Sequence, residues 1–233
     1  MKIAVLGTGA VGQTLSAKLA ELGHEVMMST RNIADALARK APDAFGRPSL
    51  GVWHKEHPGV RIGTYNEAAA HGELIINATN GAGTMQALEL AGRDNLKNKV
   101  LLDISNPLDF SKGMPPSLLI CNTDSLGEQI QRAYPDARVV KGLNTMTAAV
   151  MIHPALLPED HHVFLNGNDA GAKRTVSGIL QSFGWKEKNI IDMGDISTAR
   201  GTEQLLPIWV RLWGVLKTPM FNFKIVMGAS RPA

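Results

Sequence analysis

The sequence predicts an α/β fold: a Rossmann-type, doubly wound, mainly parallel sheet followed by a short C-terminal helical segment. Three observations carry the expectation. Short β-rich apolar runs alternate with helical patterns along most of the chain, as in an open sheet joined by right-handed crossovers. Several runs are hydrophobic almost throughout, like strands buried on both faces of a parallel sheet. The first run also passes straight into a helix through glycines at fixed spacing.

In chain order the strands are "KIAVLG", "HEVMMS", "GVRIGTY", "ELIINAT", "KVLLDIS", "ARVVKGL", "HHVFLNG" and "NIIDMG". Between them, "AVGQTLSAKLAELG", "SLGEQIQRAY" and "AGAKRTVSGILQSFG" place apolar residues near helical spacing. Gly23 and Gly184 follow the first and last of these helices, where a C-terminal cap belongs. Ser125 and Glu128 have capping-box spacing. Residues 41–60 break the pattern and read as a loop. The alternation stops near residue 195. Residues 1–195 therefore read as the sheet domain, and 196–233 as a helical segment packing on it or on a second subunit. In that segment Leu205, Ile208, Trp209, Leu212, Trp213 and Leu216 line up as one wide apolar face. "MFNFKIV" reads as a short docking tail.

The 233 residues are 44% hydrophobic and 19% charged, an ordinary globular balance. A net charge of +3 without any block of Lys or Arg argues against a nucleic-acid partner. "LLPIWVRLWGVL" is interrupted by Pro207 and Arg211 and falls short of the roughly 20 apolar residues of a membrane span. The early apolar run is too short for a signal-peptide core. Cys121 stands alone, so no internal disulfide forms, and the expectation is a cytoplasmic protein.

"LGTGAVG" carries the first functional signal. Gly7, Gly9 and Gly12 have G-x-G-x-x-G spacing between a strand and a helix, so the backbone of Gly7, Thr8, Gly9, Ala10, Val11 and Gly12 is expected to cradle a dinucleotide pyrophosphate. Arg31 lies at the end of the second strand, where NAD sites carry an acid that repels a 2′-phosphate. Ser29, Thr30 and Arg31 offer two hydroxyls and a guanidinium fork instead, which predicts NADP(H) over NAD(H). The 41–60 loop is expected beside the adenosine end.

The remaining strand ends read "NATNGAG", "DISNPLDF" and "KGLNTM". Their amides and hydroxyls can orient a nicotinamide, its ribose or a second ligand, which points to Ala78, Thr79, Asn80, Ser105, Asn106, Pro107 and Asn144 as cofactor-binding residues. Asn144, Thr145 and Lys141 are the candidates for a catalytic role, and the groups available for acid–base work are Lys141, His153 and Asp103. His153 reads as structural, and His161–His162 lacks a third ligand at metal spacing, so no metal site is expected. Few acids or bases stand near these ends. Hydride exchange between two bound heterocycles suits such a site, because the protein then mainly supplies position and a dry interface. The alternatives are an NADP-dependent dehydrogenase of a small carbonyl or imine, with Lys141 as its acid, and a non-enzymatic NADPH-binding sensor.

Together "KIAVLGTGAVG", "VMMSTRN", "DISNPLDF", "NTDSLGEQIQ", "KGLNTM" and "DISTARGTEQLLPIWVRLWG" resemble the NADPH-dependent reductases of coenzyme F420, a deazaflavin, through nearly the whole chain. The same type of domain occurs as the cytosolic NADPH module of membrane ferric reductases. The resemblance implies a Rossmann domain, NADP(H), a homodimer, and hydride transfer to or from a deazaflavin or flavin acceptor stacked on the nicotinamide. It matches Gly7–Gly12 to the family's pyrophosphate turn, and Ser29, Thr30 and Arg31 to its 2′-phosphate segment.

Overall fold

Each apolar run becomes a strand of one eight-stranded sheet. The computed structural model describes residues 1–42, 46 and 48–228. The strands are β1 (Lys2–Leu6), β2 (Glu25–Ser29), β3 (Arg61–Gly63), β4 (Leu74–Asn77), β5 (Val100–Asp103), β8 (Arg138–Gly142), β9 (Val163–Asn166) and β10 (Ile190–Asp192). Their spatial order is β10-β9-β8-β5-β4-β1-β2-β3. From β3 to β8 all pairs are parallel, whereas β9 runs antiparallel to β8 and carries β10 alongside it. The chain leaves β1 toward one edge and returns on its other side at β4. A switch point therefore opens between the carboxyl ends of these two strands, where ligands bind in such sheets.

Alternation along each strand explains the two helical layers. Ile3, Val5, Val26, Met28, Leu74 and Ile76 face α1 (Ala10–Glu21), α3 (Leu50–Glu56), α8 (Ala148–Ile152) and α9 (Ala170–Ser182). Ala4, Leu6, Met27, Ile75 and Val139 face α4 (Tyr65–His71), α5 (Thr84–Ala91), α6 (Arg93–Leu96) and α7 (Leu126–Ala133). Gly23 and Gly184 take positive φ just past α1 and α9, as C-terminal caps do. At α7 the Ser125 hydroxyl accepts from Glu128 N at 3.2 Å, but the Glu128 carboxylate turns to that same hydroxyl and to Arg200. Only half of the expected box forms.

Several features depart from the expectation. Within 41–60, Leu50–Glu56 is a helix that buries Leu50 and Trp53 one turn apart; the surrounding Pro and Gly had masked it. Residues 43–45 and 47 of that stretch lie outside the described residues. α2 (Ile33–Ala38) precedes it, and Gly51 lets the two touch: a Cβ there would stand 2.0 Å from the Leu37 carbonyl oxygen. A small antiparallel hairpin, β6 (Leu108–Asp109) with β7 (Ser117–Leu118), also follows β5.

The C-terminal helix α10 (Ala199–Leu216) is seated about a different face from the expected one. Thr202, Glu203, Leu206, Trp209 and Val210 are buried, while Ile208 and Leu216 are about half exposed. Two polar residues, Thr202 and Glu203, set this rotation by reaching buried partners. Glu203 accepts from Leu126 N at 2.8 Å and Gly127 N at 3.0 Å, capping α7, and lies 2.9 Å from Lys141 Nζ. The tail follows the docking expectation: Phe221 stacks on Trp209, and Asn222 reaches the His161 ring and the His162 carbonyl.

Lys141 is sealed from solvent between Asp103, at 2.7 Å, and Glu203. Burial alone would depress its ammonium, but the two carboxylates outweigh it and hold its pKa above the ordinary 10.5. Its contribution to stability is therefore present below pH 10.5 and is lost as the pH rises through the higher folded value. Lys141→Met leaves two buried carboxylates without their cation and should cost about 3–5 kcal/mol, read as a fall in urea midpoint at pH 8. A loss under about 1 kcal/mol would show that the cluster relaxes without its cation.

Candidate functional site

The phosphate turn is built by the absence of side chains. Gly7 has φ +111°, and a Cβ there would meet the Ala78 carbonyl oxygen at 2.8 Å. Gly12 lies against Gly7, with a virtual Cβ 2.2 Å from its carbonyl oxygen, so α1 packs directly onto the turn. Gly9 is different, because a Cβ there would touch nothing within 4 Å. It faces open space at the start of α1, a helix whose N-terminus has no side-chain cap. Free N–H groups beside an open cradle fit a pyrophosphate. Gln13 braces the turn by donating to the Thr8 carbonyl at 3.0 Å, and Val11 packs into the core.

A cleft of about 740 Å³ opens from this turn, between Thr8–Ala10, Thr30–Asn32 and the segment after α2. The segment therefore stands beside the glycine turn. Arg31, Arg39 and Lys40 line the cleft, and none of the ion pairs among the described residues uses them. Ser49 fixes the Arg39 carbonyl with a 2.6 Å bond. Ser29 Oγ is buried without a hydrogen-bond partner, a state that buried hydroxyls rarely keep. A smaller pocket of about 120 Å³ shares Arg31 and Tyr65 with the cleft and is closed by Thr79, Asn80 and Gln86. Burial raises the Tyr65 hydroxyl pKa, against the pull of Arg31. An open cradle, three cations in the cleft and an orphaned hydroxyl fit a dinucleotide carrying an extra phosphate.

The other strand ends form a closed polar rung. Asn77, Asp103, Lys141 and Asn166 are successive cross-strand partners on β4, β5, β8 and β9. Asp103 accepts from Asn77 Nδ2 at 2.7 Å and from Ser105 Oγ at 2.6 Å, and Lys141 also donates to the Ser105 carbonyl. Thr79 donates to Asn77 Oδ1 at 2.7 Å. Asn106 and Asn144 exchange hydrogen bonds of 2.8 and 3.0 Å, and Asn144 also donates to the Thr202 carbonyl. Gly81 lies against Asn106, with a virtual Cβ 2.1 Å from its carbonyl oxygen.

The structure thus gathers Thr8, Gly9, Ala10, Thr30 and Arg31 around the cleft, with Gly7 and Gly12 shaping the turn behind them, Val11 packed against the core and Ser29 sealed below the surface. Thr79 and Asn80 line the smaller pocket, and Asn106 lies on the loop after β5. It does not bring Lys141, Ser105 or Asn144 out to a ligand. Their polar atoms are spent on the buried network, and Thr145 and Pro107 are buried as well. Sequence reasoning missed Arg39, Lys40 and Tyr65. Tyr65 had a local signal, since Thr64 and Glu67 around it form a complete capping box. Among the described residues no cluster of His, Cys, Asp or Glu is placed to hold a metal ion, and no helix is long and apolar enough to cross a membrane.

Two glycine variants separate packing from binding. Gly9→Ala should unfold at the wild-type temperature yet weaken NADPH binding at least about tenfold, by crowding the cradle. Gly12→Ala should instead lose about 1–3 kcal/mol of stability. Calorimetry and titration of both variants check this, and unimpaired binding by Gly9→Ala would remove the pyrophosphate from the turn.

The family model for coenzyme F420-dependent NADP oxidoreductases matches residues 2–107. A solved structure of a candidate F420-dependent NADP reductase from Arthrobacter sp. FB24 superposes with a TM-score of 0.91 and 54% identity, covering 97% of this chain and all of that one. The F420-dependent NADP reductase of Methanothermobacter marburgensis is 28% identical over 91% of this chain and 92% of its own length. The metalloreductase STEAP3 of Rattus norvegicus is 27% identical over 89% of the chain, which spans only 38% of that longer protein. With its glycine turn, its phosphate-ready cleft and a near-complete match at 54% identity, the chain belongs to the coenzyme F420-dependent NADP oxidoreductase family.

Proposed function

We propose that this NADP-dependent oxidoreductase moves a hydride between NADP(H) and a deazaflavin of the F420 type, a flavin being the related acceptor to test beside it. One observation carries the choice of acceptor class. The ionisable groups of the β5 and β8 ends are locked into the Asp103–Lys141–Glu203 cluster, so no proton donor is offered there to a carbonyl or imine. When bound, NADP(H) supplies the hydride chemistry, and the acceptor gains a hydride together with a proton from solvent. The Gly7–Gly12 turn holds the pyrophosphate; Ser29, Thr30 and Arg31 hold the 2′-phosphate; and Thr79, Asn80 and Asn106 orient the nicotinamide half. In this reading residues 1–195 act as the nucleotide-binding unit, and the described part of the 196–233 segment, as far as residue 228, stands on its acceptor side.

The same reading takes the protein as a cytoplasmic homodimer. Cys121 is an exposed thiol without a second cysteine, which suits a reducing compartment. Of the α10 face expected to pack on the sheet domain or a second subunit, Trp209 is covered by the chain's own tail. Ile208 and Leu216 of that face, with Val215, are 49, 51 and 76% exposed, and a second copy would cover them. Light scattering should give a dimer that Ile208→Glu with Val215→Glu converts to a monomer. A wild-type monomer at working concentration would remove this assembly.

The function is tested by NADPH consumption with F420, FMN, riboflavin or no acceptor, with NADH in parallel. Fast NADPH-specific oxidation with F420 is expected, and turnover of imines or carbonyls alone would overturn the reading. Arg31→Ala should reduce the preference for NADPH over NADH by about tenfold to a hundredfold, the loss of one charge-assisted phosphate contact. An unchanged preference would take the 2′-phosphate away from Arg31.

A further inference from the structure

The buried charge cluster joins the C-terminal helix to the segment that orients the nicotinamide half. Glu203 gathers donors from two elements: Leu126 N and Gly127 N at the start of α7, and Lys141 Nζ on β8. Lys141 passes the constraint on to Asp103 and to the Ser105 carbonyl. Asp103 in turn holds Ser105 through its N–H at 3.2 Å and its hydroxyl at 2.6 Å. Ser105 is therefore gripped at its N–H, hydroxyl and carbonyl, and Asn106 follows it directly. The preceding residue on the helix adds a second hold, since the Thr202 carbonyl accepts from Asn144, the partner of Asn106. Two carboxylates face one ammonium, and the N-terminus of α7 helps to balance the excess negative charge.

We propose that Glu203 is a positioning residue for the nicotinamide half of the bound dinucleotide, acting through Lys141 and Asp103 on the Ser105–Asn106 segment. Energy spent on ordering that segment is then shared between the seating of α10 and the binding of the nicotinamide, and such sharing is reciprocal. The proposal rests on the reading that NADPH occupies the cleft, but its test needs no acceptor. Glu203→Gln keeps shape while turning an amide toward an ammonium or leaving α7 donors unmet. The apolar contacts of Leu206 and Trp209, and the Arg200–Glu128 ion pair, still hold the helix.

The experiment compares dissociation constants for NADPH and for adenosine 2′,5′-bisphosphate, which lacks the nicotinamide half. In Glu203→Gln, NADPH affinity should fall about tenfold while the bisphosphate binds as in wild type. Glu203→Asp, which keeps the charge with a shorter reach, should recover part of the loss. A fall shared equally by both ligands, or by neither, would overturn the proposal. A second measurement uses the wild-type protein, so it does not depend on a variant folding. Amide exchange in peptides covering Leu126 and Gly127 should slow more with NADPH than with the bisphosphate, and equal protection would overturn the coupling. If neither ligand binds wild type, the dinucleotide reading fails and the proposal falls with it.

Discussion

A lysine at the end of a central parallel strand cannot be buried without company, and most of the carboxyl-terminal half of this molecule is arranged around that fact. Lys141 enters the sheet between Asp103 and Asn166, its register partners, and Asp103 supplies one counter-charge from the sheet itself. The second comes from Glu203, far along the chain on α10. A buried ion cluster of this kind contributes little net stability compared with apolar packing, but leaving it half-formed is costly. Its effect is therefore selective. Apolar residues on α10 would allow several rotations against the sheet, and only the one that brings Glu203 to Lys141 completes the charge cluster.

Two halves of one sheet edge are consequently built on opposite principles. Around the glycine turn, side chains are removed, the α1 N-terminus has no side-chain cap, and Arg31, Arg39 and Lys40 line an open cleft together with Asp35. Among the described residues no ion pair engages these three cations, which suits a polyanion. At the ends of β4, β5, β8 and β9, polar groups are answered by neighbours: Asn77 by Asp103 and Thr79, Asn166 by Thr202, and, just beyond the strands, Asn106 by Asn144. Such saturated networks resist rearrangement. A rigid, acid-poor surface suits a reaction in which the ligands carry the chemistry and the protein sets their distance.

The strands were legible because a parallel sheet writes itself as uninterrupted apolar runs, and the glycine turn because Gly7 and Gly12 have steric reasons to be glycine and stand at a fixed spacing from Gly9. Other features depended on contacts distant in sequence. α3 is too short and too closely flanked by Pro and Gly to show a period, and its stability comes from Leu50 and Trp53 reaching the core. The rotation of α10 was misread because its apolar residues run almost around the helix, so the deciding groups were the polar Thr202 and Glu203. Lys141 looked like a candidate acid for the same reason. Nothing near it in sequence announced a carboxylate from residue 203.

The reversal of β9 has an effect on how this surface can change over time. Because β9 runs against β8, the turn ahead of it, with His161 and His162, emerges at the carboxyl edge of the parallel strands. The tail is fastened to this turn by its main chain and by one side chain: His162 N donates to the Phe223 carbonyl at 3.0 Å, Ile225 N donates to the His162 ring at 3.0 Å, and Asn222 reaches the His161 ring and the His162 carbonyl. Such a strap depends on Phe221, Asn222 and Phe223, whereas Val226 and Met227 beyond them are exposed and free of that duty. Change at those exposed positions would alter this edge of the molecule while leaving the sheet and the glycine turn as they are.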